Sequence, residues 1–162
     1  MLKIRALFVY EGRIVPPGER HESRKATPVD TLILDAEGDK RDAHYGVEGR
    51  TLSLLYHDGM QAFLESPGGE ACLKRGRFRE NILVEGEGWE RLERGDLLRI
   101  GTAQLRITSA RRKCPLSCGL DRRENACALG ENSHFASVAL PGSIRVADEV
   151  CVVKKGQGPS RD

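Results

Sequence analysis

The sequence predicts a mainly β domain, a closed or nearly closed β-barrel with one or two short helices. Three observations predict it. Short apolar runs recur about every ten residues, with turn signals between them. The 162 residues include 18 glycines and 7 prolines, punctuation for many short elements rather than a few long helices. One stretch, Asp96 to Thr108, reads as two apolar runs flanking a glycine-led turn, the pattern of a β-hairpin. Closure is expected because a barrel leaves no strand edge exposed.

The elements follow in order. Ile4 to Tyr10 is an apolar run with charges at its start and reads as the first strand. Gly12 to Pro28 is polar and proline-containing, hence a loop. Its cations Arg20, Arg24 and Lys25 read as a solvated face. Thr31 to Leu34, Thr51 to Tyr56 and Asn81 to Val84 are further short strands. His57 to Glu65 carries Met60, Phe63 and Leu64 at helical spacing before the Ser66-Pro67-Gly68-Gly69 break, and predicts a short helix. In the hairpin, Leu105 and Ile107 alternate with Gln104, Arg106 and Thr108, so one face is buried and the other wet. Phe135 to Leu140 and Glu149 to Val153 read as closing strands. Cys151, inside the second of them, reads as a packing residue, as does Cys72. Trp89, the sole tryptophan, reads as a lid over the barrel edge. Residues 1–155 are expected to form one domain and 156–162 a disordered tail.

Composition narrows the function. With 39% hydrophobic residues, the chain is long and apolar enough to bury a core without metal or disulfide staples. The 26 basic and 24 acidic side chains leave a net charge of +2, which argues against a nucleic-acid binder held by phosphate contacts alone. No apolar run approaches the roughly 20 residues of a membrane-spanning helix. Met1 to Tyr10 contains Lys3 and Arg5 and no small-residue cleavage site, so it does not read as a signal peptide. A cytoplasmic location is therefore expected, and with it reduced thiols; the five cysteines are in any case an odd number. Gly86-Glu87-Gly88 stops short of a dinucleotide fingerprint. There is no phosphate-loop Gly-Lys-Ser/Thr, no His-Glu-x-x-His and no Gly-x-Ser-x-Gly.

The most informative stretch is Arg111-Arg112-Lys113-Cys114-Pro115-Leu116-Ser117-Cys118. Three consecutive cations stabilise a thiolate at Cys114, and a thiolate accepts sulfur as a persulfide or ligates a soft metal. The same cations suit a phosphate group of a ligand. Cys118 is a candidate resolving thiol. Cys127, nine residues beyond it, could join Cys114 and Cys118 as a metal ligand, with an outside group in the fourth position. The competing reading makes these thiols small buried hydrophobes beside a solvated basic turn. Elsewhere, His44 is a turn donor or a ligand contact, and Asp42 a brace for its loop. Glu80-Asn81 is either a pocket edge, with Asn81 reading a pterin amide, or a turn cap before the next strand.

Four pieces, read in order, resemble one family. Asp42-Ala43-His44-Tyr45-Gly46 with Arg50 to Leu55 is similar to a Gly-Asp-x-His-x-Gly loop and its following strand. Gly76-Arg77-Phe78-Arg79-Glu80-Asn81-Ile82 is similar to Gly-x-Phe-Gly-Glu-Asn-Leu/Ile. Gly95-Asp96-Leu97-Leu98-Arg99-Ile100-Gly101 is similar to a Gly-Asp-x-Leu-x-Ile-Gly hairpin. Cys114, Cys118, Cys127 and Phe135 match the spacing of the cysteine segment. Together, over Pro28 to Val153, they resemble a small stand-alone MOSC domain, the module named from the C-terminal part of molybdenum cofactor sulfurases.

The resemblance implies a distorted barrel and a role in handling the molybdenum cofactor (molybdopterin) or its sulfur. Cys114 would be the sulfur carrier or molybdenum ligand, with Cys127 a second candidate ligand. Arg111, Arg112, Lys113, Asp42, His44, Glu80 and Asn81 would face the anionic pterin. A pyridoxal-phosphate-dependent cysteine desulfurase or a molybdoenzyme assembly protein would be a separate partner. Two alternatives stand beside it: a molybdenum-dependent oxidoreductase acting on N-hydroxylated compounds, and a non-catalytic interaction module. Arg41 and Arg79 stand where the family has glycine, and Pro115 where relatives often have histidine. The two arginines are expected either to narrow the pocket or to add anion contacts.

Overall fold

The computed structural model describes residues 1–11, 26–65, 69, 80–110 and 130–156. Ten strands, one α-helix and one turn of 3-10 helix follow one another along them. They are β1 (Leu2–Tyr10), β2 (Ala26–Val29), β3 (Thr31–Leu34), β4 (Leu52–Tyr56), α1 (His57–Leu64) and β5 (Ile82–Gly86), then the 3-10 turn (Trp89–Arg91). After it come β6 (Leu97–Ile100), β7 (Ala103–Ala110), β8 (Ser133–Leu140), β9 (Gly142–Arg145) and β10 (Val150–Lys154). The mainly β expectation holds, with α1 the α-helix among these elements.

Eight strands form one sheet in the order β10-β6-β7-β8-β4-β5-β1-β2, and β3 and β9 form a separate antiparallel pair. All neighbours in the large sheet are antiparallel except β4 and β5. That parallel pair needs a crossover, and α1 lies within it. The helix has Asp58 in its first turn, which suits the positive end of its dipole, and buries Met60 against the sheet.

The predicted closed barrel is corrected: the sheet is not closed. β10 and β2 are its edges, and among the described residues no ladder joins them. Among the described residues the sheet approaches closure where the chain before β10 meets β1. Lys3 forms an isolated bridge with Glu149, the Ile4 amide donates to the Asp148 carbonyl at 2.9 Å, and the Ala147 amide donates to the Ile4 carbonyl at 2.8 Å. Ala147 sits at φ 72, in the left-handed region, at the start of this contact, which continues through Asp148 and Glu149. β10 then runs along β6 instead.

The hairpin is where the sequence puts it. Leu97 to Ile100 pair with Arg106 back to Ala103 across Gly101 and Thr102. Gly101 is at φ 58, and a Cβ there would run into the Ser143 carbonyl and the Asp148 carboxylate, so no other residue fits this turn. Two elements depart from expectation. β2 falls at the end of the Gly12–Pro28 stretch read as loop, and β9 was not foreseen.

One core runs under both sheets. Ile4, Leu7, Leu54, Ile82, Leu98, Leu105 and Ile107 come from the large sheet, and Leu32, Leu34 and Ile144 from the small one. Fully burying each such side chain stabilises the fold by about 2 kcal/mol. In β3 the pleat decides the packing face: Leu32 and Leu34 are buried while Ile33 between them is 68% exposed.

The register sets one row across the sheet. Ala110 lies opposite His134, His134 opposite Leu54, Leu54 opposite Ile82, Ile82 opposite Leu7, and Leu7 opposite Val29. β7 therefore ends, at Ala110, in the row that passes through Ile82, the residue after Asn81.

Candidate functional site

Of the predicted site residues, the fold brings Asp42, Asn81 and His44 together. Arg111, Arg112, Lys113, Cys114, Cys118 and Cys127 lie outside the described residues, as do Cys72, Arg79 and residues 157–162.

Asp42 is the centre of the group. Its carboxylate is buried and accepts four hydrogen bonds. The Tyr10 amide and the Asn81 side-chain amide donate to Oδ2, each at 2.8 Å. The His44 amide lies 2.8 Å and the His44 Nδ1 3.1 Å from Oδ1. Burial pushes the Asp42 carboxyl up, but the His44 ring and the amides of His44 and Tyr10 outweigh it and hold the group below the usual carboxylate range. The bond at Nδ1 fixes which His44 nitrogen faces inward and leaves Nε2 as the other one.

Asn81 uses its whole side chain inside the protein. Besides Asp42, its Nδ2 donates to the Phe8 carbonyl at 3.3 Å, and its Oδ1 accepts from the Ser53 amide at 3.0 Å. It thus ties β1, β4 and the 42–46 loop at the start of β5. Glu80, one residue earlier, is half-buried, and its Oε2 is buried without a hydrogen-bond partner among the described residues. Burial pushes its carboxyl up.

Arg41 does not open towards an anion. Its guanidinium grips Asp39 with Nε at 2.9 Å from Oδ1 and Nη2 at 2.6 Å from Oδ2, and donates to the Thr31 carbonyl at 2.8 Å. The bulk expected to crowd a pocket instead pins the loop to β3. Arg50, beyond that loop, lies over the Phe135 ring at 4.5 Å. That contact joins the first recognised sequence piece to the aromatic of the fourth.

The sequence reading missed a second constellation. Trp89 stacks between Tyr56, with ring centroids 5.3 Å apart, and His134, at 4.3 Å. The lid assignment is corrected: Trp89 is only 3% exposed, and its Nε1 donates to the Glu131 carbonyl at 3.1 Å. His134 is also buried and lies opposite Ala110, where β7 ends. The available signal was a histidine on the inward phase of β8, between Ser133 and Ala136 in the core.

Among the described residues, His57, Asp58 and Glu85 bring three ligand-type atoms within 4.8 Å of one another. Their existing partners account for them. Glu85 meets Lys3 at 3.1 Å and Arg5 at 2.7 Å, and Asp58 meets His57 at 3.0 Å and the Gly86 amide at 2.8 Å.

An open, mostly antiparallel sheet, an Asp42-centred brace and a basic cysteine segment leaving β7 define a class of protein. The MOSC domain model matches residues 41–151, more than half of the chain, and the chain belongs to that family. Three solved structures share the fold. YiiM from Geobacillus stearothermophilus has a TM-score of 0.64 at 18% identity, over 98% of this chain and 78% of that one. The YUAD protein from Bacillus subtilis has a TM-score of 0.59 at 20% identity, over 93% of this chain and 94% of that one. YiiM from Escherichia coli has a TM-score of 0.59 at 19% identity, over 95% of this chain and 69% of that one. At these identities the likeness is one of fold. No curated protein matches the sequence.

Proposed function

We propose that this chain handles the molybdenum cofactor or its sulfur, with Cys114 as the reactive thiol. The observation that carries the reading is the match of a MOSC domain over residues 41–151, which spans both the Asp42 brace and the cysteine segment. The donor set suits a pterin. Among the described residues Glu80 Oε2 is a buried acceptor without a partner, and a pterin edge offers N–H donors. His44 Nε2 is a second polar atom beside the same brace. Asp42 and Asn81 are positioning residues, because their side chains are spent on holding the loop and the start of β5. Bound molybdenum would supply redox chemistry.

Arg111, Arg112 and Lys113 favour the thiolate of Cys114 and pair with phosphate. In the sulfur-carrier form, the Cys114 thiolate attacks the outer sulfur of a desulfurase persulfide. A new S–S bond forms at Cys114, the donor's S–S bond breaks, and the donor cysteine leaves as thiolate, with no oxidant consumed. The donor is a separate pyridoxal-phosphate desulfurase.

Anaerobic incubation of the protein with free molybdenum cofactor, followed by gel filtration and molybdenum and pterin assays on the protein peak, tests this. Wild type is expected to retain both and Cys114→Ser to lose them. Equal retention by the two would remove Cys114 from the ligand set, and retention by neither would remove cofactor binding.

A further inference from the structure

Asp42 and Asn81, both expected to face a pterin, have no capacity left for one. Asn81 Nδ2 is shared between Asp42 and the Phe8 carbonyl, and Oδ1 accepts from the Ser53 amide at 3.0 Å. Both Asp42 oxygens are taken by the amides of Tyr10 and His44, the His44 ring and Asn81. The reader of a pterin amide expected at Asn81 is therefore another residue. Glu80, next to it, keeps an unspent group. Its Oε2 is buried and accepts no hydrogen bond among the described residues. No cation draws its carboxyl down either, and its own backbone amide alone opposes the upward push of burial. Such a group has lost water without gaining a partner, which costs stability and calls for an explanation. Its root is nevertheless fixed. The Asn81 amide donates to the Ser53 carbonyl and the Phe8 amide to the Asn81 carbonyl, both at 2.9 Å. A buried acceptor on a fixed root, kept at a cost to stability, fits a ligand that donates.

We propose that Glu80 anchors the pyrimidine edge of a bound pterin, accepting the exocyclic amine and the adjacent ring N–H with its two carboxylate oxygens. This rests on the reading of the chain as a handler of the molybdenum cofactor, and names the part of the cofactor that this residue reads. The edge sets two N–H donors side by side, and a carboxylate sets two acceptors side by side. Hydrogen bonds with one ionised partner are roughly twice as strong as neutral ones. An edge with a carbonyl in place of the amine turns an acceptor towards the same carboxylate. Glu80 then selects by repulsion as well as by attraction. A guanine base carries the same pair of donors. The pterin is favoured over it because Glu80 lies within the MOSC match.

Isocytosine, the pyrimidine half of a pterin, and uracil, its counterpart without the amine, test this on the full chain. Isocytosine is expected to shift the NMR signals of the Glu80, Asn81 and Ile82 amides saturably, in the millimolar range. Uracil is expected to bind at least tenfold more weakly, a difference of about 1.4 kcal/mol. Glu80→Gln is expected to lose isocytosine affinity by a similar factor, with an unchanged circular dichroism spectrum and no loss of thermal stability at neutral pH. That combination marks a ligand contact, since removing a structural partner lowers stability. Guanosine and free pterin separate the two sources of the edge, and the pterin is expected to bind more tightly. No saturable shift, equal affinity for uracil, undiminished affinity of Glu80→Gln, a destabilised Glu80→Gln, or tighter binding of guanosine would each overturn the proposal. The Cys114 test reads retained molybdenum in wild type and Cys114→Ser, so its failure and this one are seen separately.

Discussion

At the residue scale, the buried acids work in two opposite senses. Asp39, Asp42 and Asp96 are buried, and their hydrogen bonds, against the upward push of burial, hold them below the usual carboxylate range. Each stabilises the fold above its ordinary value, and that support is lost as the pH falls through the lower folded value. Glu80 runs the other way, because burial raises it. Its ionised form costs stability above the raised folded value, and the cost disappears as the pH falls to the ordinary glutamate value. Glu80→Gln is therefore expected to stabilise the protein at pH 7.5 by about 1 kcal/mol, the scale of one unsatisfied buried acceptor. The gain should vanish by about pH 4, near the unperturbed value of glutamate. Thermal unfolding at both pH values checks this, and a destabilised variant at pH 7.5 would show that the carboxylate has a partner. Asp42 as a loop brace was legible in the sequence, because a short acid before His44 in a turn bonds nearby amides. The Asn81–Asp42 bond was not, since it spans 39 positions and no local pattern encodes it.

At the element scale, the strands with a full alternating period were readable and the short ones were not. The Leu97–Ala110 hairpin announces itself through Leu98, Leu105 and Ile107 and the glycine between its arms. β9 contributes a single core side chain, Ile144, so no period exists to detect. β2 contains Pro28, which argues against a central strand but is tolerated at the edge β2 occupies. The end of β10 holds a further lesson. The Gly156 amide donates to Asp96 Oδ1 at 2.8 Å, while Lys155 Nζ reaches Oδ2 at 2.8 Å. Lys155 also donates to the Arg91 carbonyl at 2.5 Å, so this latch ties the C-terminal strand to the Trp89 turn. Asp96 is fully buried, and removing its cation leaves a charge inside the protein. Lys155→Met is expected to cost about 2 kcal/mol, less than a fully enclosed pair because Lys155 remains half in water. Denaturant unfolding measures it, and a loss below a few tenths of a kcal/mol would mean that the amides alone satisfy Asp96.

At the scale of the whole molecule, the mainly β class was legible because apolar runs and turn residues alternate along most of the chain. Closure was not, because whether two edges meet depends on curvature accumulated over eight strands. The thiol segment was prominent in the sequence, whereas the Tyr56–Trp89–His134 stack draws on three separated elements and becomes visible only in space. An open sheet has protected and unprotected members. Amides of β10 and β2, the edges, are expected to exchange with deuterium faster than those of β4, β5 and β8 in the middle. Equal protection of β10 would mean that something covers that edge in solution.

The strand order also fixes a timetable. β1 leaves the ribosome first, but its partner β5 pairs Val84 with Ile4, eighty positions later, and the β10 bridge to Lys3 waits for Glu149. Among the strands that pair with each other, β6 and β7 have the short connection, Gly101 and Thr102. Contacts so distant in sequence are closed slowly. β1 must therefore spend much of synthesis with β2 beside it but without β5 on its other side, the period in which a nascent chain of this kind most needs a chaperone.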